Sequence, residues 1–168
     1  MNNIEIRKRQ REDSNTIANI TTIEWNSTYK GIAPDWFLEE LKENEEGRAQ
    51  KLYDEFNESK NNYLVAVVDG KVVGFSNYGV TDDPDFPNCA ELRALYVYDD
   101  YHGYGCGRKL VEATKEEMKK LGYDRMIICC FKGNPANDFY KHIGGKYAKD
   151  GIYKRLNLKE NIYYFDKI

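Results

Sequence analysis

Residues 89–110 read CAELRALYVYDDYHGYGCGRKL, and the order of residue types along this stretch decides the fold. Cys89 to Tyr98 is apolar and aromatic enough to read as a strand. Asp99-Asp100 makes a polar corner, and glycines follow at 103, 105 and 107. The chain then turns amphipathic, with Leu110, Val111, Thr114, Met118 and Leu121 at helical spacing. Lys119 and Lys120 suit the negative end of that helix, and Gly122 is its stop. A strand feeding a glycine-rich turn that opens a helix is an anion site: backbone N–H groups and the positive helix end converge there, and glycine lets an anion approach closely. A P-loop reading fails, because Lys-Ser or Lys-Thr must follow the last glycine and Arg108-Lys109-Leu110 stands there. A dinucleotide reading fits poorly, because Arg108 occupies the sixth motif position and Asp124 precedes the next strand instead of ending it.

Working upstream, Tyr63 to Val68 and Val72 to Val80 are two strands joined by Asp69-Gly70, a strong hairpin signal. Thr81 to Asn88 reads as a loop. Ile4 to Arg9 reads as a first strand, followed by Asp13 and Ser14 as caps of a helix carrying Ile17, Ile20 and Ile23. Trp25 to Asn57 predicts two short helices, one starting near Pro34, with an acidic run through Glu39–Glu40 and Glu45–Glu46 that suits a solvated face. Downstream, Arg125 to Phe131 reads as a strand covered on both faces. Asn134-Pro135 opens a helix in which Ala136, Phe139 and Ile143 are the better core candidates, and Gly144-Gly145 closes it. Short strands are expected near Lys146–Ala148 and Ile162–Phe165, the latter completing the sheet.

The composition bounds the rest. With 168 residues, 41% of them hydrophobic, the chain is expected to form a single domain over 1–168. A net charge of -3 argues against a nucleic-acid partner. Cys89, Cys106, Cys129 and Cys130 lack metal-site spacing, and His102 and His142 lie far from any cysteine pair, so reduced thiols and no metal are expected. The start, MNNIEIRKRQRED, lacks an apolar signal region, and no stretch approaches ~20 apolar residues, so a cytoplasmic location with no membrane association is expected.

Ala90 to Leu110 resembles motif A of the GNAT superfamily of N-acetyltransferases, a strand followed by Arg/Gln-x-x-Gly-x-Gly/Ala. NPANDFYKHIGGK, residues 134–146, resembles its motif B. The resemblance implies an α/β (α+β) mixed sheet of about six to seven mostly antiparallel strands, with one parallel pair splayed around the cofactor and helices flanking it. It implies an acetyl-CoA-dependent N-acetyltransferase acting on a primary amine, with an acyl-CoA-binding sensor without turnover as the alternative. Leu95, Tyr96 and Val97 would contact the pantetheine arm, the Val97 N–H polarising the acyl carbonyl where strand pairing is interrupted. His102, Gly103, Tyr104, Gly105, Cys106, Gly107 and Arg108 would cradle the pyrophosphate, and Asn134 would cap its helix, contact the cofactor, or both.

Glu91 aligns with a family general base, or is a structural carboxylate. An alkylammonium titrates near ~10.4 and a glutamic acid near ~4.3, so direct proton removal is uphill by roughly 8 kcal/mol. Either burial raises Glu91 or water relays the proton. Tyr140 matches the tyrosine that protonates the departing thiolate, or serves packing alone. The sequence departs from the family at His102, where Arg or Gln is usual, and at Gly145, where an aromatic residue is common. His102 is either a ring donor to the cofactor or an exposed turn residue. Trp25 and Tyr29, with Trp36, Phe37 and the acidic residues of Glu39–Glu46 and the Asp82–Asp85 loop, are the candidates for attracting a cationic acceptor, whose identity no motif selects. A monomer and a homodimer are equally compatible.

Overall fold

The computed structural model describes residues 3–58 and 62–168, so Met1 and Asn2 of the quoted start lie outside the described residues. The chain runs β1 (Ile4–Lys8), α1 (Ser14–Thr28), α2 (Asp35–Glu43), α3 (Glu45–Asp54), β2 (Asn62–Val68), β3 (Lys71–Val80), β4 (Ala90–Val97), α4 (Cys106–Lys120), β5 (Met126–Phe131), α5 (Ala136–His142), β6 (Lys146–Tyr153) and β7 (Leu158–Phe165). One seven-stranded sheet has the order β1-β2-β3-β4-β5-β7-β6. Its parallel pair is β4 with β5, while β1/β2, β5/β7 and β6/β7 are antiparallel. Asp69 and Gly70 join β2 to β3 with φ of 50° and 79°, the left-handed pair that a tight hairpin requires. No helix among the described residues is long and apolar enough to cross a membrane.

Two compact units divide the chain, Met1–Asn77 with Ala94–Thr114, and Tyr78–Arg93 with Lys115–Ile168. In the first, α1 lays Ile17 and Ile20 on Val65, Val67 and Phe75 of the sheet, with Ala94, Tyr96 and Tyr98 alongside. Each isoleucine side chain buried this way contributes roughly 1.5–3 kcal/mol. Ile23 does not join them. It is 46% exposed, and Glu24 takes the inward position at 2%. The Asp13 carboxylate accepts from Arg7 (2.8 Å) and from the Gln10 N–H (2.7 Å), so it is unavailable to cap α1, which starts instead from a 3-10 turn at Arg11–Asp13. Arg48 donates to the carbonyls of Leu41 (2.7 Å) and Ala18 (3.3 Å), tying α3 to α1 and the end of α2.

The second unit centres on β5, where Met126, Ile127 and Ile128 are buried and Cys89, Ile127 and Ile162 cluster. Asn137 of α5 donates to the carbonyls of Phe131 (2.8 Å) and Asn134 (2.7 Å), and its Oδ1 accepts from Tyr163 Oη (2.7 Å) and Asn161 (2.9 Å). That fixes the face α5 presents to the sheet: Tyr140 is 7% exposed, whereas Ala136, Phe139 and Ile143 are only half-buried, the reverse of the core expected from sequence. Gly145 has no room for a side chain. A Cβ there would lie 2.8 Å from both Phe165 Cζ and the Tyr140 carbonyl, so the Phe165 ring occupies the space an aromatic residue at 145 would need. Leu121 falls beyond the end of α4 and is 55% exposed, because Gly122 (φ 95°) turns the chain so that Tyr123 N–H closes on Met118. The tail strands are longer than expected, and β7 inserts between β5 and β6. All four cysteines are free.

Candidate functional site

In the first unit the β4–α4 turn is built as the sequence implies. Gly103 and Gly105 have φ of 84° and 93°, a region closed to most side chains, and both are exposed. The helical ladder of α4 begins with Lys109 N–H on Gly105 O (3.1 Å), so the N–H groups of Cys106, Gly107 and Arg108 lie in the unladdered first turn. Cys106 is buried and anchors the helix start, while Tyr104 and Arg108 face solvent. Unladdered N–H groups beside two glycines of positive φ are a backbone geometry that suits an anion.

Strand β4 behaves differently along its length. Its register with β5 covers Ala90–Leu92 against Met126–Ile128, while β4 itself continues to Val97. Towards that end Gly74 of β3 allows an unusually close approach: a Cβ there would lie 2.8 Å from Tyr96 O and 2.9 Å from Val97 Cγ2. Tyr98 N–H donates to Val73 O (2.9 Å). In an antiparallel ladder the residues alternate, so Tyr96 and Tyr98 direct their backbone groups to β3 and Val97 directs both of its groups away from β3. Leu95 and Tyr96 are half-buried and Val97 is buried.

The His102 side chain is 56% exposed, yet its ring also makes contacts within the first unit. Its Nε2 lies 2.7 Å from Val97 O, and since a carbonyl only accepts, Nε2 carries the proton. Nε2 also stands 3.6 Å from Glu24 Oε1, and Nδ1 stands 3.7 Å from Asp99 Oδ1. Glu24 accepts from the Asp99 backbone N–H, and its Oε2 is buried with no hydrogen-bond partner. Burial first, and then the neighbouring Asp99 charge, push the Glu24 carboxyl up to about 7. Two more α1 side chains reach this segment, Ser27 donating to Asp99 Oδ2 (2.7 Å) and Asn19 accepting from the Tyr98 hydroxyl. Trp25 makes edge contacts with Tyr29 (4.5 Å) and Phe37 (5.2 Å), and Tyr29 and Phe37 are buried, so of the expected acceptor-side aromatics Trp36 is the one that is largely exposed.

In the second unit Glu91 accepts a hydrogen bond from Thr81 Oγ1 (2.8 Å). Glu160 of β7, which sequence reasoning did not single out, accepts from the Cys129 thiol. Burial and then the Glu91 charge raise its carboxyl to about 7. It lies ahead of the strand expected from Ile162 to Phe165, in a polar stretch that the observed β7 takes in. Asp83 and Asp85 are engaged by Lys149 at 3.0 and 2.6 Å, so part of the acidic loop is already neutralised. Asn134 is buried and its Oδ1 accepts from Ala136 N–H (2.9 Å), a capping bond placed one residue before the observed cap position, Pro135. Tyr140 stacks at 5.5 Å from Phe139 and 6.3 Å from Tyr163. Burial pushes every thiol up: Cys89 to about 11, Cys130 to about 12, and Cys106 and Cys129 in the same direction.

The acetyltransferase (GNAT) family profile matches residues 22–144. A spermidine N(1)-acetyltransferase of Thermoplasma acidophilum is 31% identical over 123 residues, covering 71% of this chain and 73% of the relative. The uncharacterized N-acetyltransferase YuaI of Bacillus subtilis is 25% identical over 144 residues, 82% of this chain and 78% of the relative. Among solved structures, the PaiA N-acetyltransferase of Thermoplasma acidophilum in complex with coenzyme A superposes with a TM-score of 0.76 at 25% identity, covering 97% of this chain and 99% of that one. The family profile spans the glycine turn, β4 and α5, and the chain belongs to the GNAT acetyltransferases.

Proposed function

We propose that this protein transfers the acetyl group of acetyl-CoA to a primary amine by direct attack in a ternary complex. The observation that carries the mechanism is the state of the thiols. With all four pushed up by burial, none offers a thiolate to form an acetyl-enzyme. Acetyl-CoA supplies the activated acyl group, the backbone at 103–108 holds its pyrophosphate, and no metal takes part. The backbone of Leu95 to Val97 lies along the pantetheine arm, with the Val97 N–H as donor to the thioester carbonyl, which gains negative charge as the amine attacks. Asn134 contributes to cofactor binding beside its capping bond. Tyr140 donates its phenolic proton to the departing thiolate. Glu91 takes the amine's proton directly or through water. The family match from 22 to 144 draws on both units, which supports reading 1–168 as one transferase domain.

For the acceptor, an alkyl polyamine is the class to test first. The supporting observations are the relative that acts on spermidine and the acidic α2–α3 segment beside an exposed Trp36. The test is thiol release from acetyl-CoA across polyamines, aminoglycosides, amino acids and peptide N-termini, repeated with Glu91→Gln and Tyr140→Phe. Turnover is expected on polyamines, with roughly 100-fold loss in each variant. Coenzyme A binding without thiol release on any amine would favour the acyl-CoA sensor, and acetyl left on a cysteine and chased into product would overturn direct attack.

A further inference from the structure

We propose that His102 is a positioning residue for acyl transfer: backed by Glu24, it holds the Val97 carbonyl and so sets the direction of the Val97 N–H. This rests on the oxyanion role proposed above for that N–H. The Val97–Tyr98 peptide is pinned at both ends, its N–H on Val73 O at 2.9 Å and its C=O on His102 Nε2 at 2.7 Å. With that peptide plane fixed and Tyr96 O pressed against Gly74, the two peptides flanking Val97 lose their freedom to rotate, and its N–H keeps one direction before any cofactor arrives. Preorganisation of this kind is what makes a backbone donor effective on a developing oxyanion.

The His102 side chain is 56% exposed, and one carboxylate from α1 and one from the turn stand near its two ring nitrogens. Glu24 lies 2% exposed on α1 with its Oε1 3.6 Å from Nε2, an arrangement that favours keeping a donor on that nitrogen. Asp99, steadied by Ser27, stands 3.7 Å from the other ring nitrogen, beyond hydrogen-bond distance, so the ring is held at its Nε2 end. The ionisable groups facing Glu24 from the elements around it are Asp99 and His102 in the turn and the Tyr98 phenol just past β4, which the charge of Glu45 on α3 also reaches.

Amide hydrogen exchange and steady-state kinetics of the full chain test the assignment, with wild type, His102→Ala and His102→Gln. In His102→Ala the Tyr98 amide is expected to exchange about tenfold faster, while a distant β5 amide such as Ile128 stays unchanged. kcat is expected to fall about tenfold with coenzyme A affinity held within about threefold, and His102→Gln, which keeps an N–H donor, to restore both. Unchanged Tyr98 exchange overturns the proposal, as does weakened coenzyme A binding with kcat retained, the pattern of a cofactor contact. Faster Tyr98 exchange in a protein whose wild type turns over no amine supports the positioning role and removes only the enzymatic reading.

Discussion

The turn at 102–108 and the part of helix α1 that braces it do comparable jobs by opposite means. The turn presents backbone N–H groups, and the conformations this demands are written as glycines at 103 and 105 with positive φ. Helix α1 acts through Asn19, Glu24 and Ser27, side chains ordinary on any helix surface, whose meaning depends on what they meet after folding. A site made of backbone leaves a mark in the sequence; one made of polar side chains on a regular helix leaves almost none.

Substitutions at the backbone end of this contrast are expected to have the largest effects. Gly74→Val would drive a branched side chain into Tyr96 O and Val97 Cγ2, where even a Cβ sits at 2.8 and 2.9 Å. A stability loss of about 2–3 kcal/mol in denaturant titration is expected, with turnover falling more than cofactor affinity. A wild-type midpoint would show that β3 and β4 yield easily and that the close approach is incidental. Gly105→Val comes next. Its φ of 93° costs a branched residue about 1–3 kcal/mol, so coenzyme A affinity by calorimetry should drop roughly 10- to 100-fold. Arg108→Ala, which keeps the backbone, should cost less; the opposite ranking would move the cradle's chemistry onto side chains.

The helix end of the contrast gives a smaller, pH-dependent effect. Glu24 is raised from 4.5 to about 7 in the folded protein, so between those values the native state holds more protons than the unfolded chain. Its contribution is therefore fully present below about pH 4.5 and lost as pH rises through 7. Subtracting the thermal midpoints of Glu24→Gln from those of wild type should give a difference that falls across that window, leaving the variant the more stable protein at pH 8. A flat difference would mean that the carboxyl titrates normally and that the cluster is wetter than its geometry implies. The smallest effect is expected for Leu121→Ala, within about 0.5 kcal/mol of wild type, because the side chain is 55% exposed despite its helical spacing.

The same division explains what the sequence made legible. The Asp69-Gly70 hairpin, the 90–97 strand, the turn and α4 each carry strong local signals, since turn chemistry and apolar period agree there. The length of β6 was hidden because an edge strand wet on both faces alternates too weakly to register, and Tyr147 and Ile152 are each 56% exposed. Ile23 and Glu24 exchanged the roles their polarity suggests, because α1 rolls to seat Ile17 and Ile20 and the next inward position faces Asp99 and His102. Glu160 was missed for a related reason: its chemistry comes from Cys129 and Glu91, which lie far from it in sequence. Tyr140 was recognised by its motif, but its burial follows from Asn137, whose four hydrogen bonds set the angle of α5.

One feature of the second unit bears on how the chain is made. Strand β7 pairs with β5 on one side and β6 on the other, so β5 and β6, synthesised earlier, share no ladder of their own. Until residues 158–165 leave the ribosome, the apolar β5 carries an unpaired edge, with Ile127 and Ile128 ready to join any strand that passes. Premature termination or slow translation in this last stretch would therefore lead to aggregation more readily than the same interruption in the hairpin of β2 and β3, whose partners emerge together.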